Sequence, residues 1–336
     1  MKKILLSLVA LCAATSLWAY DFQSGLLYYN KLSDSTVEVT YKDYNYNYSD
    51  LTAVTIPETV TYSEKTYTVV AIGDQAFAGD PDTDGGPDNA ANTSLKLINI
   101  PKTVQTIDNY AFYQCTALTT VNFLGDGLTL IGSYAFYGTS KLLTFDFPET
   151  LKTIYPYAFC SSSSSGSTTG LSGALVIPNT VTSIGNYAFM GLKNLTSVIV
   201  GNAVTSIGGY AFQYCSGLTS VTLGNSVATI GSSAFASCSS LPSITLPKSV
   251  KTINTSAFAS CSKLTTIYLK PTTPPAFTST NIFPSSAKTF YVPCGTSDTY
   301  FLSDWIAFTT NFQEEDCIKK YTIYVNQDCT SNVVEE

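Results

Sequence analysis

The sequence predicts a β-rich solenoid: a parallel sheet with one short strand per coil of about 23 residues, few short helical turns, and a cap at each end. Three observations predict it. An Ala-Phe pair at 76–77 returns at 111–112, 135–136, 158–159, 188–189, 211–212, 234–235 and 257–258. From Phe189 onward the spacing is a strict 23 residues, and earlier steps of 35, 24, 23 and 30 are the same unit with insertions. Ile stands five residues before every one of these Phe (Ile72, Ile107, Ile131, Ile154, Ile184, Ile207, Ile230, Ile253), and Val or Leu stands eight before (Val69, Val104, Leu128, Leu151, Val181, Val204, Val227, Val250). Leu six residues after the Phe then opens an alternation of apolar and small polar residues, as at 218–223, and β-branched residues at period 2 read as a short strand.

Taken in order, Met1-Lys2-Lys3 followed by an apolar run over 4–17 reads as a secretory leader, residues 1–19, cut after Ala19. Cys12 follows Leu11, a poor setting for lipidation, and no later run reaches the length of a membrane span. Residues 20–50 form an N-terminal cap, because Gly25–Tyr29 and the alternation Tyr44, Tyr46, Tyr48 read as short strands that shield the first coil. Residues 51–290 form the solenoid. Each strand closes at Pro or Gly (Pro101, Gly125, Pro148, Pro178, Gly201, Gly224, Pro247), and neighbouring strands stand about 4.8 Å apart, so Ile stacks on Ile and Phe on Phe. A single coil cannot bury this much apolar surface; eight stacked ones can. The Gly-x-x-Ala-Phe segment is too short for a full helix and is expected to make one helical or 3₁₀ turn on the outer face.

The form Leu-x-x-Val-x-Leu-Pro-x-x-Val-x-x-Ile-x-x-x-Ala-Phe-x-x-Cys, cleanest at 218–238 and 241–261, resembles the leucine-rich repeat family and within it the bacterial BspA-like subclass. The resemblance covers roughly residues 22 to 312. Departures are an acidic insertion at 80–94, a Ser/Gly-rich insertion at 161–173, and a unit at 264–286 with Pro271, Pro274 and Pro275 and with Ile282-Phe283 in place of Ala-Phe. Residues 291–312 look like the family's closing strand and helix, with Trp305 and Phe308 over the last coil; residues 313–336 are a tail with a strand at 321–325.

Composition excludes most chemistry. Seventeen Lys, no Arg and no His are set against 24 acidic residues, and loss of Lys2 and Lys3 with the leader takes the net charge from −7 to −9. Nucleic acid and anionic membrane are therefore poor partners. Without His, Ser-His-Asp and Cys-His catalysis and most zinc sites fall away, and no acidic pair repeats on the strand face, so the chain reads as no enzyme. Cys115, Cys215, Cys238 and Cys261 fall three residues after a Phe, a small buried ladder position, and read as free thiols. Cys294, Cys317 and Cys329 lie outside the ladder and allow one disulfide.

Two constellations are candidates for binding. Asp80, Asp82 and Asp84 with Gly85, and Asp88 beyond, copy the first half of a calcium loop, although Ala91 replaces the bidentate Glu; a solvated acidic insertion is the first reading and calcium the second. The strand face is the stronger one. Its outward row is Asn99, Asn122, Asp146, Val176, Ile199, Thr222, Thr245 and Tyr268, preceded two residues earlier by Thr120, Thr144, Ser197, Ser220, Ser243 and Thr266. A regular hydroxyl-rich face about 40 Å long suits an extended partner, and Val176 and Ile199 are its adjacent apolar exceptions. The family resemblance implies an exported, secreted or cell-surface protein that adheres to host matrix or cell-surface proteins, such as fibronectin or fibrinogen, or to other bacteria. A glycan-binding protein and a structural surface component are the alternatives.

Overall fold

The computed structural model describes residues 20–41, 48, 50–78, 92–161, 170–279, 281–309 and 312–315, with the backbone of 321–325 and 331–335. The leader, the four aspartates of the acidic insertion and most of the Ser/Gly-rich insertion lie outside these residues. What is described is a stack of coils, about nine turns, with parallel strands and very little helix. Three ladders run along it.

The first ladder carries the strand face, and all its pairings are parallel. It falls into three sheets. The first joins Ala53–Thr55, Leu97–Ile100 and Thr120–Phe123; the second Gly173–Val176, Leu195–Ile199 and Ser220–Thr222; the third Ser243–Leu246, Thr266–Leu269, Thr289–Pro293 and Phe312–Glu315. The single continuous sheet expected from the repeat is thus interrupted twice. Phe145 and Phe147 fill the two inward positions where most coils place Val, Ile or Leu, and segment 142–147 makes no strand. Pro242 occupies the place of Thr219 and Thr265, so it has no N–H to give to the coil before it, although its carbonyl still accepts from the Thr265 N–H at 3.0 Å. Where the strands end, Gly201 and Gly224 let successive coils approach closely: a Cβ on Gly224 would stand 2.1 Å from the Gly201 carbonyl oxygen.

A second ladder runs through the Ile of each repeat. It consists of two-residue strands at 106–107, 130–131, 153–154, 183–184, 206–207, 229–230, 252–253 and 276–277, again all parallel. Strands this short have no visible period, which is why the sequence shows only one strand per coil. The N-terminal cap belongs to this ladder. Phe22–Ser24, Leu27–Lys31 and Thr36–Thr40 form an antiparallel meander whose last strand lies parallel to Lys65–Ile72, and Ala71–Ile72 leads into the first two-residue rung.

The third ladder is the Ala-Phe segment. Where one helical turn is expected, the backbone makes successive hydrogen-bonded turns with a left-handed residue two before the Phe: Gln75, Tyr110, Tyr134, Tyr157, Tyr187, Tyr210, Ser233 and Ser256 all have φ between 54° and 61°. The alternation turns every Phe N–H towards the next coil. Phe77 donates to Ala111, Phe112 to Ala135, Phe212 to Ala234 and Phe258 to Ile282, each at 2.8 Å. The residue before the Phe is fully buried in every coil, Ala in eight of them and Ile282 in the last.

The core is a column of rings. Phe77, Phe112, Phe136, Phe159, Phe189, Phe212, Phe235, Phe258 and Phe283 stack with centroids 4.9–5.5 Å apart and planes within 13°. The carbonyls beside these rings are met by the thiols: Cys115, Cys215, Cys238 and Cys261 donate to Phe77, Phe189, Phe212 and Phe235 at 3.0–3.3 Å. The four are free, as their position predicts, and so is Cys160, a fifth buried thiol. Cys294 is disulfide-bonded.

At the C-terminal end the expected closing helix is a five-residue helix, Ser297–Phe301, and a 3₁₀ turn, Asp304–Ala307, followed by the strand Phe312–Glu315. Trp305 is buried and donates its Nε1–H to the Pro275 carbonyl at 2.7 Å; Tyr300 donates its hydroxyl to Pro271 at 2.8 Å. These two bonds tie the cap to the Pro-rich coil. In the tail, Tyr321–Val325 pairs antiparallel with Ser331–Glu335.

Candidate functional site

Strand periodicity alone decides what the first ladder presents. Alternate residues point inward to the Phe column, and the residues between them point out. The register places the outward row side by side: Thr55 beside Asn99 and Asn99 beside Asn122; Val176 beside Ile199 and Ile199 beside Thr222; Thr245 beside Tyr268 and Tyr268 beside Tyr291. Asp146 is exposed but stands in the unpaired segment between the first two sheets. Seven of the eight predicted positions therefore sit on strands in three sheets, and the eighth marks the first break.

The face is zoned along its length. At its N-terminal end the amides form a chain: Asn122 Nδ2 donates to Asn99 Oδ1 at 2.9 Å, and Asn99 Nδ2 donates to Thr55 Oγ1 at 2.8 Å. Next comes a hollow of about 340 Å³ beside Asn122, flanked by Asp126, Asp146 and Glu149. Val176 and Ile199 follow, 54% and 46% exposed, a contiguous aliphatic step on an otherwise polar surface. Beyond them Thr222 and Thr245 border a hollow of about 620 Å³ that also carries Lys248 and Lys270. Lys270 pairs with Glu315 at 2.6 Å, while Lys248 is exposed. Last, Tyr268 stacks on Tyr291 with centroids 5.0 Å apart and planes at 10°.

Charge thus changes sign along one face, from the carboxylates near Asn122 to the lysines near Thr245, with the aliphatic step between. Such a surface offers shape, hydrogen bonds and charges of both signs to a contact. Sequence reasoning missed Tyr291, which lies in the closing strand, and the two hollows, which arise between coils.

It also missed a second, half-buried array. Tyr110, Tyr134, Tyr157, Tyr187 and Tyr210 stack in an unbroken column on the turn face, centroids 4.4–4.9 Å apart and planes within 8°. The signal was present as a Tyr two residues before five successive Phe. Loss of hydration raises the Tyr134, Tyr157 and Tyr187 phenols above their ordinary value; repulsion between neighbouring phenols adds to it, and hydrogen bonds to Tyr157 and Tyr187 oppose it at Tyr134 and Tyr157 respectively.

The aspartates Asp80, Asp82, Asp84 and Asp88 lie outside the described residues; among the described residues no group of three or more metal-ligating side chains comes together. No helix among them is long and apolar enough to cross a membrane.

Comparison with known proteins agrees with this architecture. The model of the BspA type leucine rich repeat region matches residues 88–172 and 167–286 in six copies, more than half of the chain. No curated protein matches the sequence. Among solved structures, the T. pallidum leucine-rich repeat protein is similar with 25% identity and a TM-score of 0.50, over 66% of this chain and 90% of that one. A leucine-rich cell surface protein from Faecalibacterium prausnitzii A2-165 aligns at 20% identity over 88% of this chain and 95% of its own, with a TM-score of 0.32. The pneumococcal vaccine antigen PcpA aligns at 16% identity over 88% and 98%, with a TM-score of 0.33.

Proposed function

Because the chain belongs to the BspA-type leucine-rich repeat family, we propose that it is an exported, non-catalytic binding protein whose strand face adheres to an extended macromolecule, a host matrix or cell-surface protein or the surface of another bacterium. The observation that carries this reading is the zoned outward row. It brings an amide chain, an exposed aliphatic pair, hydroxyls and charges of both signs onto one regular surface. Val176 and Ile199 serve as the anchor, because a contiguous apolar step rimmed by polar residues is what a contact surface requires. Hydroxyls and amides around it supply hydrogen bonds that fix a partner's register. The leader read in the sequence, residues 1–19, delivers the chain outside the cell.

A second reading rests on the Tyr268–Tyr291 stack, which offers an aromatic surface beside Thr245 and Lys248, a setting suited to a polysaccharide. The two readings part in one experiment: binding of the purified mature chain to immobilised fibronectin, fibrinogen and a panel of host and bacterial glycans. Saturable binding to a matrix protein supports adhesion. Binding to glycans alone moves the function to the tyrosine end of the face, and silence on every surface leaves a structural role.

A further inference from the structure

Among the described residues, the N-terminal cap extends the Ile ladder but adds no strand to the strand-face ladder. Ala53–Thr55 is there the first strand of its sheet and pairs only with Leu97–Ile100. In a parallel ladder alternate residues face the neighbour. The Thr52 carbonyl accepts from Lys96 at 2.8 Å, and the Ile56 N–H donates to Asn99 at 3.0 Å, so residues 52, 54 and 56 face inward along the sheet. Ala53 and Thr55 therefore turn their N–H and C=O groups to the open side, where among the described residues nothing bonds to them.

This edge borders a hollow of about 440 Å³ lined by Leu26, Leu27, Tyr29, Leu51, Val54 and Val60 among others. Leu26, at the turn of the cap hairpin, is 69% exposed at its rim. The amide chain of the strand face also ends here. Thr55 Oγ1 accepts from Asn99, and its own hydroxyl hydrogen is left to donate outward.

Exposed sheet edges are ordinarily blunted by charge. The trailing strand of the same face, Phe312–Glu315, carries Glu314 and Glu315, whereas residues 51–57 at the leading edge carry no charge at all. Ser24, Gly25, Leu26 and Leu27 of the cap hairpin line the same hollow.

We propose that this edge is a β-augmentation site: an extended peptide segment of another polypeptide adds a strand to Ala53–Thr55, sinks one apolar side chain into the hollow, and places a hydrogen-bond acceptor (Asn, Asp, Ser or Thr) opposite Thr55. Backbone groups supply the affinity and the hollow with the Thr55 hydroxyl the selectivity. The site is separate from the Val176–Ile199 surface and stands or falls independently of it.

The test uses the mature chain, residues 20–336, and a fluorescent peptide Lys-Leu-Ile-Asn-Ile, which copies residues 96–100 and so presents a strand that this sheet already accepts. Expected are saturable binding, at least tenfold slower amide exchange at Ala53 and Thr55 with peptide bound, and loss of binding in Ala53→Pro with the melting temperature kept. Leu26→Asp, at the exposed rim, is expected to weaken binding at least fivefold and serves if the proline variant fails to fold. Several outcomes overturn the proposal: no binding, binding indifferent to both substitutions, or exchange at Ala53 and Thr55 already slow in the free monomer, which would mean that the chain's own residues fill the slot. Protection that rises with protein concentration and not with peptide would give the edge to a second copy instead.

Discussion

At the scale of single residues the repeat is a set of answers to one geometrical demand, that each side chain meet its copy about 4.8 Å away. Phe answers with a stacked ring, Ala with a methyl group, and Cys with a thiol short enough to reach the carbonyl of the Phe one coil back. The sequence showed these positions and their burial. It could not show the S–H···O bonds, because they join residues 26 or more positions apart. Phe212→Ala should cost about 3–5 kcal/mol of unfolding free energy, measured by urea titration, since the ring is fully buried between two neighbours; an unchanged midpoint would contradict the column. Glu38 makes a pH prediction. Partial burial raises its carboxyl above the ordinary range, Asp108 and Asp74 add to this, and the hydrogen bond from Asn30 Nδ2 at 3.1 Å opposes it. The folded chain holds that proton more tightly than the unfolded one. Its stabilising contribution is therefore complete below the unfolded value and is lost as pH rises from there through the folded value. Glu38→Gln should flatten the fall in melting temperature across that window, and equal slopes for the two proteins would count against this assignment.

At the scale of elements, what was legible depended on length. Five-residue strands such as Leu195–Ile199 announce themselves by period 2, whereas Thr106–Ile107 and its counterparts are too short to show any period and are defined only by their neighbours. The turn before each Phe was equally hidden, because Tyr187 or Ser233 in a left-handed conformation violates the usual preference for Gly and is held there by bonds to the next coil. The sheet breaks belong to this scale too. Pro242→Thr would return the missing N–H between Ser220–Thr222 and Ser243–Leu246, and should raise stability by about 0.5–1.5 kcal/mol, read as a higher urea midpoint. A lower midpoint would show that the break is maintained by something other than the proline.

For the whole molecule, stacking converts one repeated sentence of sequence into a long surface whose differences lie only in the variable positions. Those variable positions give the strand face its zones, and they were readable one by one. Their grouping into an acidic hollow, an aliphatic step and a lysine-bearing hollow was not, because hollows form between coils rather than within them. Two faces, however, carry regular solvent-facing arrays: the exposed row of the strand face and the half-buried tyrosine column on the turns. The most direct test is therefore a comparison of two variants against whichever immobilised ligand the mature chain binds. Val176→Asp combined with Ile199→Asp alters only exposed side chains of the strand face, and Tyr157→Ser combined with Tyr187→Ser interrupts the turn-face column. Binding weakened at least tenfold by the first pair and unchanged by the second is the predicted result. The reverse pattern, with both proteins folded by circular dichroism, would move recognition to the turn face and contradict the account.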